Sequence, residues 1–152
     1  MMNMPEMSKS LLEEIEDYFV KQNLVSLATV EGNQPRVRIV SLIRLDGCFY
    51  VITGSRGGAE TAKVRQIREN PRVEFVKQVE REGKIGNIRA EAIASISEDF
   101  VLKTRLFDEV EWVKDYFSSP DNPDYVVLRI DVKSYEYSFP GKPKVVKIDV
   151  QR

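Results

Sequence analysis

The run from Arg36 to Leu45 constrains this chain most. Val37, Ile39, Ser41, Ile43 and Leu45 alternate with Arg36, Arg38, Val40, Leu42 and Arg44. In an extended segment successive side chains point to opposite faces, so the two sets lie on the two sides of one strand. Asp46-Gly47 then reads as a tight turn and Cys48–Thr53 as the returning strand. Leu24–Val30, followed by the turn signal Glu31-Gly32-Asn33-Gln34-Pro35, precedes it and completes a three-strand meander.

The remaining pattern is of the same kind. Ser10 and Glu13 form a capping box, and Leu12, Ile15 and Phe19 share a face, predicting a helix from about Ser10 to Gln22. A helix over Thr61–Glu69 stops at Asn70-Pro71. Arg72–Arg81 and Gly86–Ile96 read as strands around the turn Glu82-Gly83-Lys84. Ser97, Glu98 and Asp99 open a helical region reaching about Phe117 and broken near Asp108; a loop runs from Ser118 to Pro123. Tyr125–Asp131 and Ser134–Phe139 are two more strands, with another over Val145–Val150. The sequence shows no repeat and no dividing linker, so residues 1–152 are expected to form a single domain. Short strands joined by turns and a few helices predict a mostly β fold with flanking helices, built as a small antiparallel barrel. Side chains fill a barrel of that size. A bound cofactor would therefore sit outside it, against the face carrying Arg38, with a second subunit as the other wall.

Composition narrows the function. A net charge of −1 argues against a general nucleic-acid binder. The chain holds no apolar run of about 18 residues that would span a bilayer, and its start lacks a signal peptide's apolar stretch, so a cytoplasmic protein is expected. Cys48 is the single cysteine and histidine is absent. Ser-His-Asp and Cys-His nucleophiles, histidine metal sites and imidazole acid–base chemistry are thereby removed together. If the protein is an enzyme, its difficult chemistry belongs to a cofactor. The stretch Phe49–Phe75 indicates of what kind: strand, Gly-rich basic loop, helix start and strand gather N–H groups, hydroxyls and cations as a phosphate requires.

Several landmarks follow one another in a telling order: Leu27-Ala28-Thr29, Pro35-Arg36-Val37-Arg38-Ile39-Val40, Tyr50-Val51-Ile52-Thr53-Gly54, Thr61-Ala62-Lys63, Gln66-Ile67 and Asn70-Pro71-Arg72-Val73. In this order and spacing the chain resembles the split-barrel flavin-binding proteins related to pyridoxamine 5′-phosphate oxidase, most closely over Leu24–Ile96. The tail, with Trp112–Phe117 and Pro120-Asp121-Asn122-Pro123-Asp124-Tyr125, resembles the general-stress-protein-like branch. The resemblance implies a six-stranded antiparallel split β-barrel, a homodimer, and FMN at the subunit interface. By position it implies that Arg38 reaches the FMN phosphate and that Ile39, Val40 and Ser41 border the ring or ribityl chain. Ile52 and Thr53 would lie beside the flavin, and Thr61 and Lys63 would hold the phosphate. Asn87 would be offered to the cofactor by the partner subunit.

Each position also has a plainer role. Strand arginines such as Arg36 and Arg44 are commonly solvated. Thr61 suits an N-cap. A lysine in a first helical turn opposes the macrodipole unless an anion is near. Trp112, Tyr116 and Phe117 fit either a core or a wall over a flavin. The chain also departs from the oxidase. Ala62 stands where an arginine precedes the helix lysine, with Arg56 or Arg65 as possible replacements, and Ile43 stands where the oxidase has lysine. The oxidase's Arg-x-His substrate element cannot exist here. The resemblance therefore implies FMN without the vitamin substrate: an oxidoreductase with NAD(P)H among the candidate donors, or a non-enzymatic flavin module. A deazaflavin or haem are the other ligands of the superfamily, haem being weakened by the missing histidine.

Overall fold

A computed structural model describes residues 10–55 and 61–150 of the chain. It contains α1 (Leu11–Asp17), β1 (Gln22–Glu31), β2 (Gln34–Leu45), β3 (Cys48–Gly54), α2 (Ala62–Glu69), β4 (Arg72–Arg81) and β5 (Lys84–Ile96). These are followed by α3 (Phe100–Glu109), α4 (Val113–Tyr116), β6 (Tyr125–Ser138) and β7 (Val145–Asp149).

Ser10 caps α1 as the sequence predicts, its hydroxyl accepting from Glu13 N at 3.2 Å. The helix ends sooner than predicted, and Gln22 already belongs to β1. Two side chains impose this. The buried Asn23 accepts from Val20 N at 2.9 Å and donates to Val20 O and Leu42 O, turning the chain into the strand. Arg44 Nη1 donates to Glu16 O at 2.7 Å and Phe19 O at 3.2 Å, taking up carbonyls at the helix end. Arg44 is thus half-buried and capping, not solvated.

At Asp46-Gly47 both residues have positive φ (52° and 76°), as a two-residue hairpin turn matching the strands' twist requires. The strands form an antiparallel sheet in the order β3-β2-β1-β4-β5-β6-β7, and a β3–β6 pairing closes the first six into a barrel. The sequence predicts two strands where β6 runs unbroken. A register shift opposite Glu91/Ala92 bends it. Its first half pairs with β3 and its second half with β7, a seventh strand lying outside the ring. The helical region after Asp99 divides at Val110, whose extended backbone and complete burial end α3.

Two cores sit on the two sides of the wall. Leu27, Leu42, Phe49, Val51, Phe75, Ile88 and Tyr135 fill the barrel, stoppered by Ile15 and Phe19 of the α1 segment. Outside, Ile43, Tyr50, Ile52, Tyr125 and Val127 are covered by Leu106, Phe107, Val110, Val113 and Phe117. Strand β3 is buried on both faces, which is why its sequence is an unbroken apolar run. No helix among the described residues is long and apolar enough to cross a membrane.

Candidate functional site

The barrel is split where β2 and β3 part. They pair only through Leu42–Leu45 against Cys48–Val51. Residues 38–41 of β2 keep β1 on one edge and have no β3 partner on the other, while Ile52, Thr53 and Gly54 pair with β6 alone. The N-terminus of α2 lies near this gap, with Thr61 and Lys63 lining the same cavity as the end of β3.

The cavity measures about 480 Å³, within the range of small-molecule sites. One side is polar. Thr61 is the N-cap of α2, yet its hydroxyl caps nothing, and its Oγ1 is buried without a hydrogen-bond partner among the described residues. Lys63 makes no hydrogen bond or ion pair among the described residues, and no acidic residue occupies the first turn. Burial, and secondarily the charge of Arg38, hold the Lys63 pKa below the usual lysine value. Add the N–H groups that any helix start leaves unpaired within the helix, and this end of the cavity is a cluster of donors without acceptors among the described residues.

The opposite side is aromatic. Trp112 and Tyr116 meet edge to face at 5.9 Å and 82°. Trp112 Nε1 donates to Gln22 Oε1 at 2.9 Å, whereas Tyr116 is 74% exposed at the rim. Phe117 is core: a Cβ on Gly54 would lie 3.3 Å from its Cζ, so the ring packs against the end of β3. Of the three aromatics the sequence left between core and wall, Trp112 and Tyr116 stand at the cavity and Phe117 serves both, packed in the outer core with its ring reaching the lining. Ser55 and Asp124 close the floor through Ser55 Oγ to Asp124 Oδ1 at 3.0 Å and Ser55 N to Asp124 O at 2.8 Å.

Of the residues singled out in the sequence, Ile52, Thr53, Thr61 and Lys63 come together here. Arg38 lies beside them, half-buried, donating from Nη1 to Leu27 O (3.2 Å) and Thr29 Oγ1 (2.8 Å) and from Nη2 to Gln66 Oε1 (3.0 Å). Val40 points into the barrel core. Ile39, 72% exposed, stands on the outer wall and lines a separate depression of about 410 Å³ with Asn87, Leu24 and Ile85. Ser41 is half-buried opposite Leu24. Arg65 donates to Glu31 at 3.3 Å, as Arg36 does at 3.0 Å. Hydrogen bonds from Arg36, then Arg65 and Gln66, hold the Glu31 pKa below the usual carboxylate value. Arg65 is therefore engaged with Glu31, and Arg56 lies with the Gly-rich loop outside the described residues.

The sequence reading gave no site role to Gln66, Thr29, Ser55 or Asp124, although all but Ser55 stand among the landmarks of the resemblance. Thr29 carried a usable signal: it continues the inward positions of Val25 and Leu27, where a polar residue demands a partner.

The pattern describing the pyridoxamine 5′-phosphate oxidase family matches residues 11–139. The chain belongs to that family. Among solved structures it is similar to general stress protein 26 from Bacillus anthracis str. Sterne, with 25% identity, a TM-score of 0.70, and 91% of this chain and 98% of that one covered. It shares its fold with an FAD-binding protein from Mesorhizobium loti (17% identity, TM-score 0.64, 84% and 90% covered). The same holds for a heme binding protein from Mycobacterium smegmatis (18% identity, TM-score 0.75, 94% and 59% covered). No curated protein matches the chain. Ile43 is buried in the outer core with Tyr50, Val127 and Phe107, where a lysine would be stranded.

Proposed function

We propose that this chain binds FMN between two copies of itself and acts as a flavin-dependent oxidoreductase that does not use pyridoxamine 5′-phosphate. One observation carries the reading. Among the described residues the Thr61 hydroxyl and the Lys63 ammonium have no partner, and both lie at the start of α2, in a cavity whose other wall is Trp112 and Tyr116. A phosphate would satisfy the first pair and a flat ring would suit the second. Bound flavin supplies hydride or single-electron transfer. The chain's own residues hold and shape the site. Thr61 and Lys63 take the anionic end. The β2 edge from Arg38 to Ser41 has unpaired backbone groups to offer a polar ring, and Ile52 and Trp112 exclude water.

The partner copy is argued from the outer wall, where Leu24, Val37, Ile39 and Ile85 are all exposed apolar residues. A second copy covering them would bring Asn87 of one subunit toward the site of the other. The redox partner follows from openness at the Tyr116 rim: a small planar donor such as NAD(P)H, with quinones or nitro compounds as acceptors. Haem has no axial imidazole in a chain without histidine. A non-enzymatic flavin carrier is the second reading. It is favoured by Asp124, the one carboxylate lining the cavity among the described residues, being tied to Ser55.

The test is spectral, then kinetic. Protein loaded with FMN and freed of excess should keep bands near about 370 and 450 nm and oxidise NAD(P)H over many turnovers. Retained bands without turnover select the carrier. Protein that stays colourless after FMN loading sinks both.

A further inference from the structure

Arg38 has five N–H donors, and their distribution is informative. Both Nη1 hydrogens are spent, on Leu27 O and Thr29 Oγ1, and one Nη2 hydrogen goes to Gln66 Oε1. The two side-chain acceptors are themselves joined, Thr29 Oγ1 to Gln66 Oε1 at 2.5 Å. They therefore stand side by side against the Nη1–Nη2 edge of the guanidinium. Among the described residues Nε and the second Nη2 hydrogen have no acceptor, and these share the other edge of the planar group as a parallel fork that fits two oxygens of one anion.

The acceptors are rigid. Thr29 and Gln66 are both buried, and Gln66 is held at its other end, Nε2 donating to Glu31 Oε2 at 3.3 Å. That orientation satisfies every group: the amide oxygen faces the Thr29 hydroxyl and Arg38, and the amide nitrogen faces a carboxylate. Glu31 is in turn fixed by Arg36 and Arg65.

Resting on the FMN reading above, we infer that Thr29 and Gln66 are positioning residues that clamp one edge of Arg38 and present its free Nε/Nη2 edge to the cofactor phosphate beside Lys63. The device spans β1, β2 and α2, so the phosphate site is set by how the helix seats on the barrel. It also prevents Arg38 from turning to Glu31, whose carboxylate is already taken.

Titrations with FMN and with riboflavin, which lacks the phosphate, separate the cases. Gln66→Leu and Thr29→Val should each weaken FMN about tenfold, the effect of disordering one charged hydrogen-bond pair, and leave riboflavin affinity unchanged. Thr29→Ser should restore FMN binding, and Gln66→Leu added to Arg38→Ala should cost nothing beyond Arg38→Ala alone. Equal losses for FMN and riboflavin, or additive losses in the double variant, would overturn the clamp. Should Gln66→Leu fail to fold, the Thr29 pair decides alone. Lys63→Ala separates the two readings. If it weakens FMN while the Thr29 and Gln66 variants do not, only the clamp is wrong. If FMN and riboflavin bind Lys63→Ala as they bind the wild type, the phosphate placement itself fails.

Discussion

At the scale of single residues, Lys63 is the group whose surroundings most resemble a waiting site. Burial penalises its charged form, and neighbouring Arg38 adds repulsion, so its pKa lies below that of an ordinary lysine. The sign of the linkage follows. A depressed lysine pKa means the fold bears a penalty while the amine is charged, relieved as pH rises through the folded value. A bound phosphate reverses this by favouring the ammonium. FMN affinity should then fall as pH rises through the depressed Lys63 value, earlier than a free lysine would allow. Lys63→Ala should remove that alkaline limb and weaken binding at neutral pH by about 1.5–3 kcal/mol. Fluorescence titrations across pH read both; an alkaline limb that persists in Lys63→Ala assigns it elsewhere.

At the scale of elements, α4 is too short to be held by its own hydrogen bonds and owes its place to what it buries. Its neighbours divide the labour. Phe117 seals the end of β3 and Val113 enters the outer core, while Tyr116 projects over the cavity. Phe117→Ala should therefore cost about 3–5 kcal/mol of stability, as aromatic truncation in a core does. Tyr116→Ala should change stability by less than about 0.5 kcal/mol, as for an exposed site, yet shift the flavin's visible bands and its affinity. Urea melts paired with spectra distinguish the two. A Tyr116 variant spectrally identical to wild type would take the aromatic wall out of the site.

At the scale of the whole molecule, the outer wall is unfinished. Ile39 projects from β2 with Leu24 and Ile85 nearby across the sheet, and burying such a surface is the ordinary driving force for association. Ile39→Lys should leave monomer folding intact, because that side chain is 72% exposed among the described residues. It should convert a dimer to a monomer in sedimentation and make FMN retention poor at every dilution. If the variant still sediments as the wild type does and keeps its cofactor, the shared surface lies elsewhere.

How much of this was legible in the chain depends on range. Strand alternation, the Asp46-Gly47 turn, the Ser10 cap and the stop at Asn70-Pro71 are local physics, and the order and type of the elements follow from them. Ile52, Thr53, Thr61 and Lys63 were singled out by the resemblance, and one strand with the following helix is enough to bring them to one cavity. What composition and spacing could not settle involves partners far apart in sequence. Asn23 stops α1 by reaching Leu42 O, β6 runs through as one strand because β3, β5 and β7 pair with it, and Gln66 meets Thr29 across 37 positions. Such pairings exist only after the barrel closes, so tertiary structure alone decided that Arg38 is clamped, that Val40 faces the core, and that Trp112 and Tyr116 face the site.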